Sequence, residues 1–350
     1  MDFYKLWFAN LDISYKVKKE IYTNYSEEKC IFYDRKNIYL RKKAVDKKID
    51  NILNDINASI KNIVEKEDIK VVGIKDSDYP KNLKELENPP IYLFYKGNIN
   101  ILNEKNNIAI VGSRRCTSYG AEVTKIVSKN ISNNNLNIVS GGALGIDSIA
   151  HKTALENKGT TSIVLGCGID VIYPKYNKNI FKEVLKDGCI LSEFPIGTPP
   201  ISYNFPIRNR IISGLSRAII IVEGTNKSGS MITAKYGLEQ GKDILAVPGS
   251  IFSSMSEGPN SLIKDGALVL DSMEELNSYF NFSKIGEKNE SIVDGIKERI
   301  LKFLKDGPMH IDEIIRHIDV DTSDIYRLLF EMQFDNKIIS FSGNYYGKIN

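Results

Sequence analysis

Cysteine is scarce in this chain of 350 residues. Its four cysteines, Cys30, Cys116, Cys167 and Cys189, form no Cys-x-x-Cys pair, and its three histidines are scattered. A structural zinc takes about four clustered Cys or His ligands, so no metal site is expected and the thiols read as free and buried. No run of about 18 apolar residues occurs, so no membrane span is expected. The segment Met1-Asp-Phe-Tyr-Lys-Leu-Trp-Phe8 holds an early acid and no long apolar run before a small-residue cleavage site. No signal peptide is expected, and the expected compartment is the cytoplasm. Two nucleotide signatures are also missing. The lack of Gly-x-Gly-x-x-Gly argues against a dehydrogenase, and the lack of Gly-x-x-x-x-Gly-Lys-Ser/Thr argues against a P-loop ATPase.

What is present is ordinary in bulk and uneven in detail. With 42% hydrophobic and 26% charged residues, the chain has ample material for a core, and its length allows two or three domains. The net charge of +3 is not shared evenly. Residues 105–250 hold 17 Lys and Arg against 10 Asp and Glu, whereas residues 290–350 hold 8 against 11. The basic block also carries most of the glycine-rich turns, a combination that suits a phosphate or polyanion ligand as well as a solvated surface.

Residues 1–70 read as a helical N-terminal domain, with helices at Phe3–Phe8, Tyr15–Tyr25 and Ala44–Ile60, the last placing Ile49, Leu53 and Ile56 on one face. Residues 71–280 read as the core. Apolar strand-length runs at Ile108–Val111, Leu136–Val139, Thr161–Leu165, Ile190–Leu191, Ala218–Val222, Ile244–Val247 and Ala267–Leu270 alternate with amphipathic stretches. That pattern predicts an α/β fold, a parallel sheet covered on both faces, with ligands at the carboxyl ends of its strands. Residues 281–291 are polar and read as a linker. Residues 292–350 read as three helices and a hairpin at Gly343-Asn344, the order of a winged helix.

The strand ends carry the chemistry. Gly112-Ser113-Arg114 follows the first core strand, where a hydroxyl and a guanidinium meet a helix N-terminus suited to phosphate; a capped turn is the alternative. Gly141, Gly142 and Gly145 follow the second strand and permit close approach to an anion or unusual dihedral angles; Gly112, Gly141 and Gly145 are candidate contacts to a bound strand. Asp147 can cap the helix that carries His151, and His151 reads as packed rather than ligand-facing. Lys175 follows a proline turn, placed to meet a phosphate as a point charge. Phe205-Pro-Ile-Arg208-Asn-Arg210 joins two arginines to an aromatic platform, as single strands require. A buried network of these arginines with Glu193 or Glu223 is the alternative. Lys227, Ser228, Gly229 and Ser230 open a helix and offer N–H groups and hydroxyls to an anion.

Taken together these segments resemble the DNA-processing protein A family (DprA, also called Smf). The resemblance rests on Gly112-Ser-Arg, Ser140–Asp147, Tyr173-Pro-Lys-Tyr-Asn, Ser192-Glu-Phe-Pro, Phe205–Ser216, Ser228–Ala234, Val247-Pro-Gly and Gly258–Ile263, in family order over about residues 75–275. It implies an extended Rossmann-like core that binds single-stranded DNA, with no enzymatic activity and no cofactor. It also implies protection of incoming strands, loading of the recombinase RecA in natural transformation, and a homodimer formed through the core. Carried over, Arg114, Lys175, Phe205, Arg208 and Arg210 would contact the strand, and Leu238 and Ile263 are dimer candidates. The competing class is a nucleotide hydrolase of the phosphoribohydrolase type. Such enzymes need Pro-Gly-Gly-x-Gly-Thr-x-x-Glu, where this chain has Glu223-Gly-Thr-Asn-Lys-Ser-Gly-Ser.

Overall fold

The computed structural model describes residues 2–56, 58–282, 295–318, 325–326, 328–329, 332–333, 337–341 and 343–349. They form two compact units, residues 1–276 and 277–350. The first is built on a nine-stranded sheet, with β1 at Lys70–Gly73, β2 at Tyr92–Gly97, β3 at Asn107–Val111, β4 at Asn137–Ser140 and β5 at Thr160–Leu165. It continues with β6 at Cys189–Ser192, β7 at Ala218–Ile221, β8 at Asp243–Ala246 and β9 at Leu268–Val269. The spatial order is β1-β2-β6-β5-β4-β3-β7-β8-β9. From β6 to β9 every pairing is parallel, while β1 and β2 extend the sheet in antiparallel sense. The chain winds outward from β3 through β4 and β5 to β6, then crosses back to place β7 on the other side of β3. The carboxyl ends of β3 and β7 therefore flank a topological switch point, the place where open α/β sheets bind ligands.

Alternate strand residues feed two different cores, so both faces of the sheet are covered. Ile163 and Leu165 of β5 join one cluster, and Val164 joins the other. Flanking helices are α1 (Phe3–Ala9), α2 (Tyr15–Asn24), α3 (Glu28–Lys42), α4 (Ala58–Lys66), α5 (Lys81–Lys84) and α6 (Ile101–Glu104). After β3 come α7 (Ser118–Asn133), α8 (Ile146–Glu156), α9 (Lys178–Asp187), α10 (Asn204–Leu215), α11 (Gly229–Glu239), α12 (Glu257–Lys264) and α13 (Met273–Phe280). The N-terminal helices share a core with the sheet: Phe8 and Tyr22 meet Tyr92 of β2 edge-on, at ring-centroid distances of 5.8 and 5.5 Å. Buried Asn107 and Asn137 hydrogen-bond to each other at 2.8 Å at the starts of β3 and β4, the end of the sheet opposite the switch point.

Two local expectations are corrected. Residues 44–60 are not one helix: Lys47–Leu53 is a 3₁₀ helix, and α4 begins at Ala58. With about three residues per turn, Ile49 and Ile52 share the buried face and Leu53 turns outward. Nor are all the thiols buried, since Cys30 is exposed and Cys116 half-buried.

In the second unit, a helix over 295–303 (α14) precedes β10 (Met309–His310) and α15 (Ile311–His317). Strands β11 (Ile338–Phe341) and β12 (Tyr345–Lys348) form the expected hairpin, and β10 pairs with β12. Within the expected third helix, residues 325–326, 328–329 and 332 are described and helical; its other residues and most of the linker lie outside the described residues.

Candidate nucleic-acid interface

A cleft of about 400 Å³ opens at the switch point. Its walls are the loop after β3 (Gly112–Arg115), Ala143 and Asp147 from the β4–α8 connection, one face of α10, and the N-terminus of α11. Glycine lets the first two loops interlock. A Cβ on Gly112 would lie 2.6 Å from Ile146 Cγ1, and one on Gly145, whose φ is +75°, would lie 2.2 Å from the Ser113 carbonyl oxygen. The Ile146 N–H donates to that same oxygen at 3.2 Å. Gly112 and Gly145 thus let the two loops pack against each other.

At the mouth of the cleft the Phe205 ring lies over Gly166, where a Cβ would meet it at 2.7 Å. Exposed Arg114 stands with its guanidinium 5.3 Å from the Phe205 centroid, and the ring of Tyr173 lies 5.7 Å away on another side. Lys175, two residues beyond Tyr173, is exposed. Asn177 ties this segment to the β4 loop by donating to the carbonyls of Gly142 and Ala143, at 2.9 and 3.2 Å. Cations and rings therefore share one surface, the pairing that serves phosphates and unstacked bases.

The N-terminus of α11 faces the same space. Ser228 caps it, accepting from the Ser230 N–H at 3.2 Å, and the two hydroxyls lie 2.6 Å apart. Asn209 of α10 donates to the Gly229 carbonyl at 3.1 Å, which locks the two helices together. Gly229 and Lys227 are exposed.

The two arginines of α10 part company. Arg208 is 5% exposed. Its Nη1 donates to the carbonyls of Gly141, at 2.8 Å, and Val164, and its Nε donates to Asn209 Oδ1 at 3.1 Å. Burial lowers its pKa to about 10, so it stays charged. Gly141 has no side chain because one would strike this guanidinium, at 2.3 Å. Arg208 therefore pins the ends of β4 and β5 beneath the cleft instead of standing free at its surface. Arg210 lies outside the cleft and pairs with Glu193. The structure thus brings together Gly112, Ser113, Arg114, Phe205, Ser228, Gly229 and Ser230, with Lys175 and Lys227 on adjoining loops, but not Arg210.

Other expectations shift too. Glu223 is not an arginine partner. Its buried carboxylate accepts from the Thr117 N–H at 2.8 Å and the Thr117 hydroxyl at 2.6 Å. The N-terminus of α7, where a phosphate was expected, thus already holds an internal anion. Asp147 reaches back to the Gly141 and Ala143 N–H groups, at 3.1 and 3.4 Å, instead of capping α8. Burial pushes its carboxyl up, with Arg208 working against that shift. His151 is buried beside Thr161, away from the cleft. Arg115 and Tyr173 were not singled out from the sequence. Arg115 follows Arg114 directly, and Tyr173 joins the site only through its contact with Phe205.

A family model described as DNA recombination-mediator protein A matches residues 70–281, and one described as the DprA winged helix domain matches residues 287–344. The DNA processing protein DprA of Streptococcus pneumoniae is 43% identical over 210 residues, covering 60% of this chain and 74% of that protein. The crystal structure of the S. pneumoniae protein superposes with a TM-score of 0.68 at 34% identity, over 79% of this chain and 98% of that one. A structure described as showing the single-stranded DNA binding mode of Helicobacter pylori DNA processing protein A gives 0.55 at 32% identity, over 60% of this chain and 95% of that one. With the core matched over more than half of its length and the winged helix domain matched after it, this chain belongs to the DNA recombination-mediator protein A family.

Proposed function

We propose that the switch-point cleft binds single-stranded DNA, and that the protein is a recombination mediator that protects incoming strands and loads RecA during natural transformation. One observation carries the binding reading: the exposed Arg114 guanidinium stands against the Phe205 ring at the mouth of the cleft. A phosphate meets the cation, and an unstacked base meets the ring whatever its identity. The N-terminus of α11, with Ser228 and Gly229, supplies N–H groups and a favourable dipole for a further phosphate. The H. pylori relative, described as having a single-stranded DNA binding mode, supports the same ligand. The hydrolase alternative has less support because the loop before α11 reads Glu223-Gly-Thr-Asn-Lys-Ser-Gly-Ser, without the glycine pair and glutamate such enzymes need. A homodimer formed through the core is part of the proposal; Leu238 is 58% exposed, whereas Ile263 is half-buried against the inner core.

The test is equilibrium binding of labelled oligo-dT and of duplex of equal length over a salt series. Tighter binding of the single strand is expected, with a log–log salt slope of about 0.7 per neutralised phosphate. Equal or tighter binding of duplex would refute the reading.

A further inference from the structure

Residues 29–48 take in most of α3 and the start of the 3₁₀ helix. They hold 8 Lys and Arg against 2 Asp, a larger excess than the net +3 of the whole chain. Four of these cations are paired: Arg35 with Asp55 at 3.6 Å, Arg41 with Asp34 at 2.8 Å, Lys48 with Asp12 at 2.8 Å, and Lys42 with Glu20. Buried Asp46 accepts from the Ser14 and Lys48 N–H groups, at 2.8 and 2.9 Å, and Glu28 accepts from the Tyr92 hydroxyl. Lys29, Lys36, Lys43 and Lys47 are exposed and have no ion-pair partner among the described residues. The remaining neighbouring acids, Glu27 and Asp50, flank the stretch at its two ends.

Helix geometry orders the unpaired lysines. At about 100° and 1.5 Å per residue, Lys29, Lys36 and Lys43 form a straight row along α3, about 10 Å apart. Tyr33 and Leu40, also seven residues apart, stand beside that row and are 69% and 61% exposed. The Tyr33 ring is nonetheless held in place. Its hydroxyl shares a hydrogen bond with that of Tyr4 at 3.2 Å, and it meets the Phe32 ring edge-on at 5.8 Å. The opposite face of α3 buries Ile31 and Ile38 against the core, so the outer face takes no part in packing the helix. A row of unpaired cations suits a polyanion, and a fixed exposed ring beside it suits an apolar surface on the same ligand. Single-stranded DNA carries both, in its phosphates and its unstacked bases. A duplex keeps its base faces stacked inside and would match the lysines alone.

We propose that the outer face of α3 is a second single-stranded DNA site, with Lys29, Lys36 and Lys43 on the backbone and Tyr33 and Leu40 against the bases. The proposal rests on the reading of the protein as a single-strand binder, though not on the residues of the cleft. Both surfaces belong to one compact unit, so a strand held by the first reaches the second at a high effective concentration. The test uses the full-length protein and a Lys36→Ala/Lys43→Ala variant, titrated with oligo-dT of about 8 and about 40 nucleotides, within and beyond the span of one small site. Alanine favours the helix, and an unchanged thermal midpoint checks that it is kept. The short oligomer, held by the cleft, should bind both proteins equally. The long one should bind the wild type more tightly than the short one does. On the long oligomer the variant should lose about tenfold in affinity and about 1.4 in log–log salt slope, for two phosphate contacts. Unchanged affinity for the long oligomer, or an equal loss on duplex of the same length, overturns the proposal. So does a changed oligomeric state of the variant in sedimentation, which would assign the face to contact between copies. Arg114→Ala reports on the cleft separately: if it leaves binding of the short oligomer intact, the function assigned to the cleft fails while the result on α3 stands.

Discussion

Arg114 and Arg208 lie 5.3 and 5.9 Å from the same Phe205 ring, yet one is exposed and the other buried. Their substitutions should therefore fail in different assays. Arg114→Ala is expected to weaken oligo-dT binding and flatten the salt slope by about 0.7 while leaving stability unchanged. Phe205→Ala should remove about 1–3 kcal/mol of binding. Arg208→Met should instead cost about 3 kcal/mol of stability in urea unfolding, because buried carbonyls lose a charged donor. An Arg208→Met protein of normal stability that no longer binds would make Arg208 a direct contact. Arg208 and Arg210 read as one pair along the sequence, but two residues on a helix span about 200°, so their separation became legible only with α10. His151 gives a second residue-scale test. Thr161 donates its hydroxyl hydrogen to the Ile138 carbonyl, so its oxygen accepts from His151 Nδ1–H, and Nε2 is left buried, unprotonated and without a partner. Burial lowers the pKa of this imidazole to about 3. A depressed pKa adds stability that is present above the unfolded value, near 6.5, and is lost as pH falls toward 3. The expected slope in that window is about 1.4 kcal/mol per pH unit. Urea unfolding at pH 8, 6 and 5 should show it, and His151→Gln should flatten it.

At the scale of elements, the cleft depends on two interlocked loops more than on any one side chain. Gly145→Ala places a methyl group 2.2 Å from the backbone oxygen of Ser113, at a φ of +75°, so one loop must move. A cost of about 1–3 kcal/mol in stability is expected, together with weaker oligo-dT binding as the Arg114 loop shifts. Unchanged stability would show that the loops can part freely. The parallel strands were legible because strands buried on both faces are continuous apolar runs, as in Ala218–Ile221. Helix α3 was not, because Glu28–Lys42 buries only Ile31 and Ile38 and carries no apolar stripe. The glycine loops were legible as special. Their spacing marks close approach, and only the topology reveals that another loop makes one such approach, at Gly145. The groups on Thr117 and Glu223 are 106 residues apart in sequence, beyond any local pattern.

For the whole molecule, charge divides the labour. Residues 290–350 are net negative, with 11 acidic against 8 basic residues, while the basic excess sits in the sheet domain. A winged helix with this balance repels phosphates, so protein contacts or regulation suit it better than docking in a major groove. A truncated chain ending at Phe282 is expected to stay folded and to bind oligo-dT within a few-fold of the full chain, read by anisotropy. A folded truncation with a hundredfold loss would transfer part of the DNA site to the winged helix. The carboxylate of Glu223 has a related effect at the start of α7. Tethered against Thr117, it is a permanent resident of the α7 end, at an effective concentration of about millimolar or more. A phosphate could settle at that helix end only by evicting it. That helix end is thereby closed to small phosphorylated metabolites, and anion binding is left to the cations and N–H groups that line the cleft.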